Sequence, residues 1–309
     1  MSLFGKQHNN LDALLHRPRP SLWDQFLDQP CIFLARKLYT WRQAVPAQPL
    51  VDPVSVVCVS DTHNTQPPLP DGDVLIHAGD LTQSGLLLEL QAAVKWLRAQ
   101  SHPVKVVVAG NHDLLLDTGC DGQKRTANEN AVAERGAIDW GDIIYLENAE
   151  ITVTCPNGRR LRVYGSPCSP RHGNWAFQYP RAEDVWAGTV PHGIDVLVTH
   201  SPPRGHLDLL KLGCEHLLRE LWRVRPRLHV FGHVHEGAGT EWLRFDELQG
   251  AYERTVLAGG GVWNLLWTVK AFLRSLLRPA AEAKSLLVNP AIVGGLRDNE
   301  RRRPIKVVI

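Results

Sequence analysis

No two of the six cysteines, at 31, 58, 120, 155, 168 and 214, follow a C-x-x-C or zinc-finger spacing, which speaks against a zinc finger. No apolar stretch reaches the roughly 18 residues of a membrane span. The longest, Val256 to Val269, holds three glycines and Asn264 and stops at Lys270. No n-region followed by an apolar h-region opens the chain, which argues against secretion and for a cytoplasmic protein with reduced thiols. A net charge of +2 is too mild to mark a nucleic-acid binder, and no internal repeat or low-complexity tract stands out.

What the chain does have is bulk: 309 residues with 44% apolar content can bury a large core. The expected organisation is an N-terminal extension over residues 1–50, partly helical, and one domain over 51–309. Charge is uneven. Residues 1–50 carry six Lys/Arg against three Asp/Glu and residues 270–309 carry nine Lys/Arg, so the ends are basic and the middle acidic.

A β-branched run from Val51 to Val59 predicts a buried strand, and Asp61 and His63 follow it. In an extended segment, residues two apart point to the same side, so the pair could grip one ion at the strand's end. The pattern recurs. A strand before Gly79-Asp80 leads to helical periodicity over 86–100 through Leu86, Leu90, Ala93, Val94 and Leu97. Val104–Ala109 runs into Gly110-Asn111-His112-Asp113, Ile194–Thr199 into His200, and Leu228–Phe231 into Gly232-His233-Val234-His235. A helix is expected over 208–222, a hairpin turn at Pro156-Asn157-Gly158, and short strands at 143–146, 151–154 and 161–164. Strands that each end in polar residues predict a layered α/β fold with its site along one edge.

Asp61, His63, Asp80, Asn111, His200, His233 and His235 exceed what one tetrahedral zinc takes, and no thiolate is among them. They suit two divalent ions such as Mn, Fe or Zn, with Asp80 as the bridging carboxylate. Such a pair lowers the pKa of a shared water toward hydroxide and clamps a phosphoryl oxygen. His112 would then donate a proton to the leaving group, with Asp113 orienting its ring.

These five ordered motifs resemble those of the calcineurin-like metallophosphoesterase superfamily over about residues 51–260. Gly165-Ser166-Pro167, Trp175-Ala176-Phe177 and Thr199–Pro203 are similar to the metallophosphoesterase-domain-containing (MPPED-like) subgroup. The resemblance implies a four-layer αββα sandwich, an α/β fold with two central mixed sheets. It implies one metal on Asp61, His63, Asp80 and His235, a second on Asp80, Asn111, His200 and His233, and His112 as the acid or phosphate-contacting residue. Some MPPED-like proteins lack the first histidine of Gly-His-x-His; His233 is present here. Relatives of the Ser/Thr protein phosphatases carry an arginine soon after Gly-Asp, whereas this chain reads Asp80-Leu81-Thr82-Gln83-Ser84-Gly85.

The resulting expectation is a dinuclear phosphoesterase leaning to small phosphodiesters, since no arginine near the motifs suits a monoester dianion. Trp175, Phe177 and Arg204 are candidate substrate contacts, and Arg171 or Arg181 could also arrive from loops. Alternatives are a phosphomonoesterase or Ser/Thr phosphatase, a nuclease, and a non-catalytic metal-bound scaffold. Two apolar segments carry interleaved cations, at 31–42 and 262–278, the second within a helical insertion around 262–302. Packing against the domain is the default for both, and peripheral membrane or protein contact is the other reading.

Overall fold

The computed structural model describes residues 21–42, 52–120, 129–277, 283–294 and 299–309. Parts of the expected N-terminal extension, and Arg278, lie outside the described residues. Two central sheets face one another. The first is ordered β15-β1-β2-β3-β4, from β1 (Ser55–Val59), β2 (Val74–Ala78), β3 (Val104–Val108), β4 (Ile143–Tyr145) and β15 (Ile305–Val308). The second runs β11-β12-β10-β9-β6-β5, from β5 (Ala149–Thr154), β6 (Arg160–Ser166), β9 (Val196–Thr199), β10 (Leu228–Val230), β11 (Gly239–Leu243) and β12 (Ser285–Asn289). Among the described residues two short pairs complete the set, β7 (Ser169–Pro170) with β8 (Gln178–Tyr179) and β13 (Val293–Gly294) with β14 (Glu300–Arg301).

Both central sheets are mixed. β1, β2, β3 and β4 are parallel and β15 closes the edge antiparallel, while β6, β9, β10 and β12 are parallel between antiparallel β5 and β11. Alternation along each strand assigns the layers. Val56, Cys58, Val74, Ile76, Val106 and Val108 meet Val163, Val196, Val198, Val230 and Val288 between the sheets. The opposite face of the first sheet packs Val57, Leu75 and Val107 on Leu90, Ala93, Val94 and Leu97 of a helix. On the second sheet's outer face Leu197 and Phe231 meet Leu217 and Leu221 of another. The product is the four-layer αββα sandwich. Each fully buried aliphatic side chain contributes about 1.5–3 kcal/mol to it.

Among the described residues seven α-helices accompany the sheets: α1 (Leu22–Asp28), α2 (Pro30–Trp41), α3 (Leu87–Arg98), α4 (Glu129–Gly136), α5 (Glu215–Val224), α6 (Glu247–Leu257) and α7 (Val262–Leu277). Leu86, expected on the buried stripe of α3, caps the helix and is exposed. The helix expected over 208–222 begins only at Glu215. Asp208 accepts amide hydrogens from Leu210 and Gly213, and Leu207, Leu209 and Leu210 adopt positive φ, so the chain loops first.

Of the expected helical insertion over 262–302, the described residues are helical over Val262–Leu277. Residues 285–289 instead form β12, between β10 and β11 in the heart of the second sheet. Nor are all six thiols free: Cys120 and Cys168 form a disulfide with a Cα–Cα distance of 5.8 Å, while Cys31, Cys58, Cys155 and Cys214 remain free. The two partners are 48 positions apart in the sequence, and only the fold brings their loops together. Among the described residues no helix is long and apolar enough to cross a membrane.

Candidate metal centre

The C-terminal ends of β1, β2, β3, β9 and β10 meet at one edge, and each delivers polar side chains there. Asp61 and His63 were expected to share a side through the strand pleat. They lie past the strand, in a turn where both have positive φ, at 49° and 42°. Asp80 (54°) and His233 (68°) adopt the same conformation. Left-handed non-glycine residues are uncommon and cluster at functional sites. The backbone supports them here, since Asp61 N donates to Gly79 O at 2.9 Å and His63 N to Asp80 O at 3.1 Å.

Glycine precedes the site residues because side chains fill the space a Cβ would need. On Gly110 a Cβ would fall 2.3 Å from Asp80 Oδ1, and on Gly232 it would fall 2.2 Å from Asp61 Oδ2.

Ligand atoms of Asp61, His63, Asp80 and His235 all lie within 4.8 Å of one another. His235 Nε2 is 3.4 Å from Asp61 Oδ1 and 3.3 Å from His63 Nε2. A second group forms next to it: His200 Nε2 is 2.9 Å and His233 Nδ1 2.7 Å from Asn111 Oδ1. Asp80 joins the two. Its Oδ2 is 3.7 Å from His63 Nε2 and 3.4 Å from His200 Nε2, while its Oδ1 accepts from His112 N at 2.8 Å. All seven residues expected as ligands are therefore brought together, in two groups sharing one carboxylate.

The electrostatics are those of a cation site. Burial opposes charge on Asp61 and Asp80, yet the surrounding histidines hold both carboxyls below the usual carboxylate range. Burial likewise opposes charge on His200, but Asp80 lifts its imidazole to about 9. His233, buried and facing His200, is pushed down to about 3. His200 Nδ1 sits 3.0 Å from the Ala78 carbonyl, which can only accept, so Nδ1 carries a proton, and it is the Nε2 proton that a bound cation would displace to take that lone pair. Carboxylate, amide and imidazole lone pairs thus converge on two points. That donor set fits two divalent cations, and the absence of a thiolate fits Mn, Fe or Zn bound through N and O.

His112 lies at the mouth, its ring 4.6 Å from that of His63 and stacked 4.3 Å from Trp175. Asp113 does not orient it. The Asp113 carboxylate turns away and accepts from Leu81 N, Thr82 N, Thr82 Oγ1 and Gly110 N, clamping the β2 and β3 exits together. The His112 ring is held instead by Gln83 O, 2.8 Å from Nδ1, which leaves Nε2 as the nitrogen not engaged by that carbonyl.

Trp175 is at the mouth, but Phe177 is fully buried in the core with Leu81 and Leu116, so a substrate contact through it is corrected. Arg204 donates to Lys211 O and Arg181 to Gly213 O and Leu212 O, which commits both to carbonyls of the loop after β9. Two neighbours were not anticipated. The His172 ring lies 4.7 Å from His233, and Ser60 Oγ donates to Asp61 Oδ2 at 2.6 Å. Ser60 adjoins a ligand and was readable as a hydroxyl partner; nothing in the sequence flagged His172.

Residues 54–237, more than half of the chain, match the family model of the calcineurin-like phosphoesterases. The chain belongs to that family. Human metallophosphoesterase domain-containing protein 1 is 39% identical over 206 residues, 59% of this chain and 61% of that relative. A UPF0046 protein of Caenorhabditis elegans is 35% identical over 60% of this chain and 70% of the relative. A protein of Emericella nidulans called probable rhamnogalacturonate lyase C is 44% identical over 97% of this chain. This chain spans only 29% of that relative, and less than two thirds of the human one. The matched region of this calcineurin-like phosphoesterase ends at 237, just past His235, so it contains every residue of the metal centre.

Proposed function

We propose that the chain is a metal-dependent phosphoesterase acting on phosphodiesters. The observation that carries this reading is Asp80, whose Oδ2 faces His63 in one donor group and His200 in the other. Divalent ions bound by these groups supply Lewis-acid stabilisation of a phosphoryl group and an acidified water. The protein's own residues position the rest. Asp80 Oδ1 fixes the His112 backbone, and Gln83 O fixes the His112 ring. With Nδ1–H committed to Gln83, Nε2 is the atom that carries a proton to the leaving oxygen. The partly buried Trp175 ring behind His112 limits water on that side.

The preference for a diester rests on charge. A monoester dianion is normally met by a fork of guanidinium donors, and Arg181 and Arg204 are both bonded to loop carbonyls. Gln83 stands close to where the Ser/Thr phosphatases carry arginine. We expect the purified chain with added Mn to hydrolyse bis(p-nitrophenyl) phosphate faster than p-nitrophenyl phosphate. A protein holding two ions but inert on both esters would instead be the metal-bound scaffold.

The acid role of His112 has its own test. His112→Ala should lower kcat by about 10²–10⁴ on an alkyl diester, where the leaving oxygen needs a proton. On a nitrophenyl ester, whose leaving group needs none, the loss should be much smaller. Equal losses on both would remove His112 as the proton donor.

A further inference from the structure

We propose that α1, α2 and α7 form a docking surface for an anionic phospholipid bilayer. α2 and α7 each spend one stripe on the domain, while α1 buries no residue and lies against α2 through Phe26 and Phe33. α2 buries Ile32, Ala35 and Tyr39 against Tyr252 and Val256 of α6. α7 buries Thr268, Ala271 and Phe272, the last two packing with Leu248 and Ala251 of α6. The sequence suggests a different division for α7, apolar inside and Lys270 and Arg274 outside. In the fold the outer side is itself apolar; Lys270 is exposed among its hydrophobic residues, while Arg274 pairs with Glu247 of α6 at 2.8 Å. Trp263 is 78% exposed, Leu277 is 89% exposed, and Leu266, Trp267 and Leu273 are exposed beside them.

The patch extends across all three helices. Trp41 at the end of α2 is 73% exposed yet stacks on Phe272 of α7 at 5.2 Å. Phe33 meets Phe26 of α1 at 5.7 Å, and Phe26 stacks on Trp23, which is 68% exposed. Contiguous exposed apolar surface of this kind marks a binding face.

Its composition selects the bilayer. Four exposed tryptophans, Trp23, Trp41, Trp263 and Trp267, carry the amphipathic rings that settle at the headgroup level. Lys270 Nζ lies 4.6 Å above the Trp267 ring and Lys37 Nζ 5.5 Å above Phe33, with their stems along the apolar face and their ammonium groups at its rim. α7 contains no Asp or Glu. A second copy seated α7 against α7 would meet Lys270 with the same acid-free helix, leaving a desolvated cation unpaired. Anionic headgroups pair with it directly, and interfacial helices of this pattern bind by apolar burial plus such attraction. Asp24 and Asp28 sit on α1, so α7 and the adjoining end of α2 form the deeper part of the surface.

The test is sedimentation of the full chain with vesicles of phosphatidylcholine alone and with added phosphatidylserine. Binding to the mixed vesicles at low salt, weakened in high salt, is expected. Lys270→Ala should lower the partition coefficient about fivefold. The triple variant Trp263→Ser, Leu266→Ser, Trp267→Ser should lower it by at least about tenfold. Both variants must keep the wild-type melting temperature and hydrolysis of a soluble diester, because the altered side chains lie outside the core and the metal centre. Absence of sedimentation with anionic vesicles overturns the proposal. So does a vesicle-free dimer, seen by light scattering, that the triple variant abolishes.

Discussion

Asp80→Ala should reduce turnover of a diester by at least about a hundredfold, which is about 2.7 kcal/mol of lost transition-state stabilisation. Partners beyond the ligands already cost 10–100-fold in metal affinity or activity when removed, so about a hundredfold is a lower bound for the carboxylate that both groups share. Asp80 makes three contacts that no other residue replaces: Oδ2 to His63, Oδ2 to His200, and Oδ1 to the His112 amide. Alanine removes all three, and with them the charge that balances the histidines. Asp80→Asn separates the effects. It keeps an acceptor for His112 N while losing the charge, so a structural role alone would leave it active. Metal content measured beside kinetics completes the test: two ions per wild-type chain, at least one lost in either variant. An Asp80→Ala protein with two ions and full activity would sink the dinuclear assignment.

How much of this was legible varies with the distance over which each signal acts. Strand interiors such as Val104–Val108 were readable because β-branched runs bounded by Gly and Pro are local. The metal residues were readable for a second reason, since each follows a strand end and chemistry at strand ends is common to open α/β sheets. The geometry behind the readings was less accessible. Asp61 and His63 converge through a left-handed turn held by Gly79 and Asp80 carbonyls, not through a pleat. Asp113 is the chain neighbour of His112, but four donors from Leu81, Thr82 and Gly110 attract its carboxylate the other way.

β12 was missed because Ser285-Leu-Leu-Val-Asn follows a helix closely and is short, so the apolar run reads equally as helix. For α7, apolar residues on both sides let periodicity point to the wrong stripe: Trp263, Leu266 and Trp267 face outward, and Thr268, Ala271 and Phe272 are buried. Only the packing of Ala271 and Phe272 on α6 settles which stripe is buried. The Cys120–Cys168 bridge and the partner of His206 depend on contacts between distant segments, which no local pattern encodes.

His206, which no motif flagged, carries the largest expected effect on stability. Its Nδ1 is 2.7 Å from Glu241 and its Nε2 is 3.1 Å from Glu253, and the ring itself is fully buried. Both nitrogens face carboxylates, so both carry protons and the ring is an imidazolium between two anions. Burial opposes that charge, but the two carboxylates outweigh it and raise the imidazole to about 10. Around it Tyr39 of α2 and Tyr252 of α6 stack 4.3 Å apart, and Trp222 Nε1 and Gln249 Nε2 donate to Glu253. The cluster therefore fastens the N-terminal helices to the domain. His206→Ala leaves buried carboxylates without their cation and should cost about 3–5 kcal/mol. For a chain of this size that lowers Tm by on the order of 10 °C. The pH dependence follows from the raised pKa. With an unfolded value of about 6.5, the contribution of His206 is complete below that pH and is lost as pH rises toward the folded value near 10. Thermal unfolding of wild type and variant from pH 7 to 10 should therefore show a Tm gap that narrows steadily. A gap that stays constant over that range would mean that His206 acts by packing alone, and the absence of any gap would dismiss the ion cluster as a stabilising element.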